Sequence, residues 1–358
     1  IILRPRDIAN RALKYYIKKL HFTPCPKYNE RERCNIHELK NAKMGRDLPD
    51  IQSTTPAVRI NLTRVGVKNV KKLVEVSRGE KRPVIFISNF DVFVDLPGSL
   101  KGANLSRNFE VIDEVLQQAI DGDVKEIEDL CSVVARKLLD RHEYADRTEV
   151  LMRSQFMVKR ETPVSHTSCH EVVKVHARAV ARRTFRDPIV RKSIGAEVTG
   201  MTACPCAQDI MKERAVYVLK DLKIEDEKID AFLREVPMAT HNQRGRGFLC
   251  IEIDDDQHVK LEKIIKILKD SMSTNIFELL KRGDESYVVL NAHKNPRFVE
   301  DCVREVAKKV LAEFRDLPGD SLITIKQTNE ESIHQHDAYA ERRATMAELY
   351  VELNGERK

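Results

Sequence analysis

The 358-residue chain carries 62 basic and 56 acidic residues, a formal net charge of +6, and is 42% hydrophobic. Its length and apolar content furnish two or more packed units, and the near balance of charge describes a mixed, solvated surface rather than a nucleic-acid stripe. Aromatics at 6% with no Trp supply few base-stacking platforms; with no apolar run of the roughly 18–20 residues a membrane helix needs and no signal-peptide pattern, the expected location is the cytoplasm.

Residues 1–43 read as an appendage, with an amphipathic stretch over 8–20 followed by a run of Pro, Asn, Arg and Glu. Cys25, Cys34 and His37 fall within it, three candidate metal ligands without a fourth at finger-like spacing. Met44 is the expected natural start, and the preceding residues stand outside the functional argument. From Val58 the alternation of "VRINLTRVGV", "KKLVEVSR" and "RPVIFISNFDVFVDLP" predicts a strand, a turn and long antiparallel strands. Two helices follow: one over 108–120 with Phe109, Ile112, Val115, Leu116 and Ile120 on one face, and one over 124–142 with Ile127, Leu130, Cys131, Val134 and Leu138. The stretches 147–162 and 170–185 alternate and suit a hairpin.

The second half repeats that grammar. "GRGFLCIEID" predicts a strand, residues 259–280 a helix, "ESYVVLNAH" a strand-like link, residues 295–314 a helix and "DSLITIKQTNEESI" a final strand. Asn295 is the expected N-cap of the second of these helices, with Pro296 in its first turn and Gly319 beyond its end. Strands segregated from paired helices predict an α+β fold with antiparallel sheets, and neither a dinucleotide-binding nor a P-loop glycine pattern is present.

Polar residues gather at four element ends in the second half, where a rigid scaffold carries function. These are "TACPCAQ" with Cys204 and Cys206, "ATHNQRGRG" with His241, Asn242, Gln243 and Arg244, "LLKRGDESY" with Asp284 and Glu285, and "NEESIHQHDAY" with Glu331, His334, His336 and Asp337. A thiolate, imidazoles and a carboxylate make a divalent-metal shell. The plainer readings are Cys204 and Cys206 as small buried hydrophobes and His334 and His336 as a surface pair on a strand end. His166, Cys169 and His170, in a loop before a strand, compete as ligands.

"LPDIQSTTPAVRINLTRVGV", "TGMTACPCAQ", "HNQRG", "NPRFVEDCVREVA" and "ESIHQHDAY", in that order, closely resemble the type IB GTP cyclohydrolases, and "TGMTACPCAQ" is similar to their archaeal, methanopterin-pathway branch. The resemblance spans about residues 44–339. It implies two tandem tunnelling-fold units, 44–190 and 191–358, in a homotetramer with active sites near subunit boundaries. By motif it implies a metal shell of Cys204, His241, Glu285 and His334, with Asp284 as the competing carboxylate, around one divalent ion, Fe2+ ahead of Zn2+ or Mn2+. It further implies that Glu331 grips the guanine edge, that His336 handles protons with Cys206 beside it, and that Arg244, with Arg64 a weaker choice, meets the triphosphate. GTP is the implied substrate: its imidazole ring opens at C8, formate leaves, and a 7,8-dihydroneopterin phosphate forms, as the 2′,3′-cyclic phosphate or the triphosphate. No nucleic-acid or membrane partner is expected. Two rivals stand beside this reading. Another tunnelling-fold pterin or purine enzyme would release no formate from GTP, and a non-catalytic zinc- or RNA-binding module would bind nucleic acid with a steep salt dependence that survives Cys204→Ser.

Overall fold

The structure is a computed structural model that describes residues 50–78, 81–120 and 126–355. The expected helix over 8–20 and Cys25, Cys34 and His37 lie outside the described residues. Residues Ile51–Lys358 cluster as one unit, an α+β body built on a nine-stranded, wholly antiparallel sheet.

Strands β1 (Leu62–Arg78) and β2 (Lys81–Leu96) open the sheet, followed by helices α1 (Ser106–Ile120) and α2 (Ile127–Arg141). Strands β3 (Arg147–Glu161) and β4 (Ser168–Arg182) form the expected hairpin. The second half starts with β5 (Ile189–Ala203), α3 (Pro205–Asp221), α4 (Asp226–Glu235) and β6 (Asn242–Asp254). It continues through α5 (Leu261–Lys269), the short β7 (Thr274–Asn275), α6 (Arg282–Lys294) and α7 (Val299–Glu313), and ends with β8 (Leu322–Asn329), β9 (Ala338–Thr345) and α8 (Met346–Asn354). The strand order is β1-β2-β3-β4-β5-β6-β8-β9, with β7 beside β5. The first half reads strand pair, helix pair, strand pair, whereas in the second α3 and α4 separate β5 from β6 before further helices lead to the β8–β9 pair. The halves meet where β4 and β5 pair without a break from Lys174↔Glu197 to Arg182↔Ile189.

Strand alternation sends every second side chain to the same face. One such row, Phe90, Met152, Ala177, Ile194, Ile251, Ile323 and Ala344, crosses from β2 to β9 through directly paired residues and lies in the core. Ile112, Val115, Leu130, Cys131, Val134 and Leu138 of α1 and α2 belong to the same core, as do Ile264, Leu268, Cys302 and Val306 of α5 and α7. The opposite face carries ion pairs. Buried Glu149 is held by Arg64 (2.6 Å), Arg178 (2.7 Å) and Arg147 (2.9 Å). Burial would raise its carboxyl, but Arg178, Arg64 and Arg147 outweigh burial and hold it below the usual range.

Several elements depart from the expectations. The stretches 58–67 and 71–78 are not two strands: β1 runs through both, with a bulge between Val67 and Val70 where Asn69 turns left-handed (φ 59°) and its N–H donates to Asp91 (2.8 Å). Phe109 is exposed, and Val111 takes its place in the core. The helix expected over 259–280 stops at Lys269, and "ESYVVLNAH" is helical, within α6. Asn295 ends α6 instead of starting α7, because its side chain amide donates to Ser273 O (3.2 Å). Two further elements, β9 and α8, follow the expected final strand. Among the described residues no helix is long and apolar enough to cross a membrane.

One buried acid gives the fold a pH dependence. Glu128 in the first turn of α2 is 2% exposed, and burial, assisted by the charges of Asp129 and Glu126, pushes its carboxyl from 4.5 up to about 7. Between those values the unfolded chain is ionised and the native one is not, so stability falls as pH rises from about 4.5 to 7 and then levels, a loss of about 3 kcal/mol. Glu128→Gln removes the titration. Urea unfolding should therefore show the variant gaining on the parent across that window, and parallel pH profiles would count against the assignment.

Candidate active site

Strand β5 and strand β6 pair up to Ala203↔Asn242, and the chain then turns at Cys204 into α3, with Pro205 at the first helical position. The Cys204 N–H donates to His241 O (3.1 Å), and the Thr240 hydroxyl donates to Cys204 O (2.9 Å). The thiol-bearing and imidazole-bearing residues thus sit on neighbouring backbone, although 37 residues of sequence position separate them. Gln208, 2% exposed, fixes this junction from below by donating to Met238 O (2.9 Å) and His293 O (2.6 Å). The end of β5 is closed on its other side, where Ala203 N–H donates to Ser273 Oγ (3.1 Å) and Arg297 N–H donates to Ala203 O (2.9 Å).

His241 opens toward the end of β8. Its Nδ1 lies 3.0 Å from Gln243 Oε1, Gln243 Nε2 donates to Glu331 Oε1 (3.2 Å), and Glu331 Oε2 stands 3.8 Å from Nδ1. The three side chains are largely buried, with His241 and Glu331 at 12% and 10% exposure and Gln243 at 7%. The pairing that brings them together continues past β8, since Glu330 N–H donates to Arg244 O (2.9 Å). Gly245 leaves room there: a Cβ would come within 2.6 Å of Gln327 Nε2 and would displace the amide that donates to Asn329 (3.0 Å).

The remaining expected residues lie apart from this cluster in the single chain. His334 and His336 are exposed and stack on each other, ring centroids 5.2 Å apart, in the irregular segment 330–337 and not on a strand end. Asp284 and Glu285 have opposite fates. Asp284 is buried and accepts from Val164 N–H (2.8 Å), Ser165 N–H (2.8 Å), Ser165 Oγ (2.6 Å) and Lys281 N–H (3.0 Å), tying the β3–β4 hairpin tip to the start of α6. Burial alone would raise its carboxyl, but the Ser165 hydroxyl and the three amides outweigh burial and hold it well below the usual range. Glu285 is exposed, eight positions and so roughly 12 Å of helix rise from His293. Among the described residues no three His, Cys, Asp or Glu side chains gather closely enough to hold a metal ion.

Cys206 is exposed on the first turn of α3, and Arg244 is exposed on the sheet face opposite Gln243. Within the single chain Arg64 lies apart from this cluster: it is bound to Glu149 near the Arg191 end of β5, twelve residues or roughly 40 Å along the strand from Ala203. In the hairpin tip His166 and His170 are exposed while Cys169 is buried, so the three do not face one another as a ligand set. The residues that sequence reasoning left without a role are Gln208, Gln243 and Arg297. Gln208 and Gln243 stand in the same short motifs as Cys204 and His241, and Arg297 stands in "NPRFVEDCVREVA".

Three substitutions check these roles. Asp284→Asn should lower the melting temperature and speed proteolysis at the hairpin tip, whereas Glu285→Gln should leave both unchanged. Gln208→Leu, which abandons two buried carbonyls, should cost about 1–3 kcal/mol. It should also accelerate hydrogen exchange at the Cys204 amide, and an unchanged exchange rate there would remove Gln208 from the support of the junction.

A family profile described as Type I GTP cyclohydrolase folE2 matches residues 48–340. The chain is 84% identical over 311 residues to the GTP cyclohydrolase MptA of Methanoregula boonei, covering 87% of this chain and 95% of that one. It is 80% identical over 308 residues to the GTP cyclohydrolase MptA of Methanoculleus marisnigri, covering 86% and 98%. Among solved structures, a uricase from Bacillus fastidious superposes with a TM-score of 0.46 at 11% identity, over 81% of this chain and 96% of that one. The profile takes in every element from β1 to β8 together with Cys204, His241 and Glu331, and on that match the chain belongs to the type I GTP cyclohydrolase folE2 family and is an enzyme.

Proposed function

We propose that this enzyme is a cytoplasmic, metal-dependent GTP cyclohydrolase of the archaeal branch, opening the guanine imidazole ring at C8, releasing C8 as formate and forming a 7,8-dihydroneopterin phosphate. The 2′,3′-cyclic phosphate is the favoured product over the triphosphate, and the reaction stands first in tetrahydromethanopterin-type pterin synthesis. The observation that carries the reading is the Cys204–His241 junction with Glu331 linked to it through Gln243. Four long antiparallel strands with helices packed on them in each half, β1–β4 and then β5, β6, β8 and β9, support two tandem tunnelling-fold units, 44–190 and 191–358.

The donor chemistry of the junction fits a divalent ion: a sulfur and an imidazole on adjacent backbone, with the hydrogen bond to the ring falling on Nδ1. Cys204, His241, Glu285 and His334 would hold it, Fe2+ ahead of Zn2+ or Mn2+. A bound ion supplies the Lewis acidity that makes water a nucleophile at neutral pH. Glu331 accepts from the ring N–H and exocyclic amino group of guanine, a pair that adenine does not offer. His336 and Cys206 carry protons at the edge of the site, and Arg244 pairs with the phosphates.

Exposed apolar side chains flank the junction and support completion of the site by self-assembly. Helix α3, which Cys204 caps, buries only Gln208 and exposes Ile210, Met211, Tyr217 and Val218, while α6 exposes Tyr287, Val289 and Leu290. A helix of that length so little covered gains its stability from a further partner. We read that partner as other copies of the chain, in a homotetramer whose subunit boundaries adjoin Glu285 and Cys204.

Anaerobic incubation of metal-reconstituted enzyme with GTP, following formate, pterin fluorescence and product mass, tests the activity. Cys204→Ala and His241→Ala should each lose the ion and reduce formate release to background, and a fully active His241→Ala protein would refute the shell. Glu331→Gln should keep the ion yet lose roughly 10–100-fold in kcat/KM. Placing aspartate at both Tyr217 and Val218 should shift light scattering to a monomer without turnover. An active monomer would remove the need for assembly.

A further inference from the structure

We infer that Gln243 is a positioning residue that couples the metal side of the site to its purine side, fixing the proton on His241 and the orientation of Glu331 through one carboxamide. The inference rests on the reading above, in which His241 is a ligand and Glu331 the purine acceptor. Its geometry is independent of that reading.

The argument begins at Glu331. A carboxylate offers only acceptors, so the Gln243 group 3.2 Å from Glu331 Oε1 is the amide NH2. The carboxamide oxygen is then turned toward His241, 3.0 Å from Nδ1. An oxygen accepts and does not donate, so Nδ1 of the neutral ring carries the proton and donates it to Gln243. Nε2 is left with a lone pair, the form in which an imidazole binds a metal. The second Glu331 oxygen, 3.8 Å from Nδ1, favours a proton at that same nitrogen.

The carboxamide itself has little freedom. Gln243 is 7% exposed and lies in strand β6, directly paired with Thr202 of β5, one residue before Ala203 and two before Cys204. Side chain and junction therefore ride on the same ladder. The role assigned to Gln243 is exerted through its two neighbours, His241 and Glu331.

Two variants separate the two contacts. Gln243→Met keeps the length and removes both donor and acceptor. Gln243→Glu keeps an acceptor for Nδ1 but loses the donor to Glu331 and sets two carboxylates against each other. Histidine-selective 15N labelling of the metal-free protein reads the tautomer, with His241→Ala identifying the signal. The wild type and Gln243→Glu should show the proton on Nδ1, and Gln243→Met should show a mixture or the Nε2 form. Zn2+ affinity by chelator competition should fall roughly 10–100-fold in Gln243→Met and stay close to wild type in Gln243→Glu. KM for GTP should rise in both variants. A Gln243→Met protein with the wild-type tautomer and wild-type Zn2+ affinity overturns the inference. Should that variant not fold, loss of the Nδ1–H form in Gln243→Glu overturns it equally. Retention of Zn2+ by His241→Ala is a different result: it removes His241 from the shell, while the tautomer spectra still decide what Gln243 does.

Discussion

The uninterrupted pairing of β5 with β6, from Arg191↔Asp254 to Ala203↔Asn242, is the constraint on which both the core and the site depend. At one end it aligns the strands that carry the ion pairs of Arg191 with Asp254 (2.7 Å) and Asp320 (3.1 Å). Through its middle it sets Ile194 against Ile251 in the covered row. At the other end it delivers Cys204 and His241 to adjacent positions. A slip of one residue would turn each of these side chains to the wrong face, so the register that builds the core also fixes the distance between sulfur and imidazole.

The two faces of that sheet answer different demands. On the covered face a charge must be matched where it enters: Lys192, fully buried, donates to Asp129 (2.6 Å) and to Asp255 O (2.7 Å). Glu128 beside that pair has no such compensation sufficient to keep it ionised, and its carboxyl rises accordingly. On the open face Glu149 gathers three guanidinium groups, an arrangement in which removing any one partner leaves a buried carboxylate short of charge. Arg64 belongs to that network through its paired bonds to Glu149.

Much of this was legible in the sequence, and the gaps have physical causes. The β3–β4 hairpin and helices α1 and α2 announced themselves because one face is buried along their length. Strand β5 is hard to read in the sequence, since Gly195, Ala196 and Gly200 blur its alternation even though every residue but Ile189 is buried or half-buried. Helix α3 gave no apolar stripe because it buries a single glutamine. Helix α6 looks like a strand from Tyr287, Val288 and Val289, and its helical start depends on Asp284, which caps Lys281 N–H and also accepts from hairpin-tip amides 119 and 120 residues away. Cys204, His241 and Glu331 could be singled out by motif, whereas Gln208 and Gln243 could not: a buried amide and a solvated one are the same letter until the carbonyls and rings around it are known.

The donors of the proposed shell differ in how firmly the chain holds them. Cys204 and His241 are tied backbone to backbone and braced by Gln208, while Glu285 stands exposed on α6 and His334 in an exposed bend. A rigid pair with two outlying donors locates an ion without enclosing it. On the proposed reading, enclosure would fall to elements that carry uncovered apolar side chains, above all α3 and α6, so that burial of Tyr217, Val218 and Leu290 and closure of the coordination shell would be one event. In that arrangement the separated chain, although folded around its own core, would hold the ion weakly, and affinity for metal would rise with the concentration of protein.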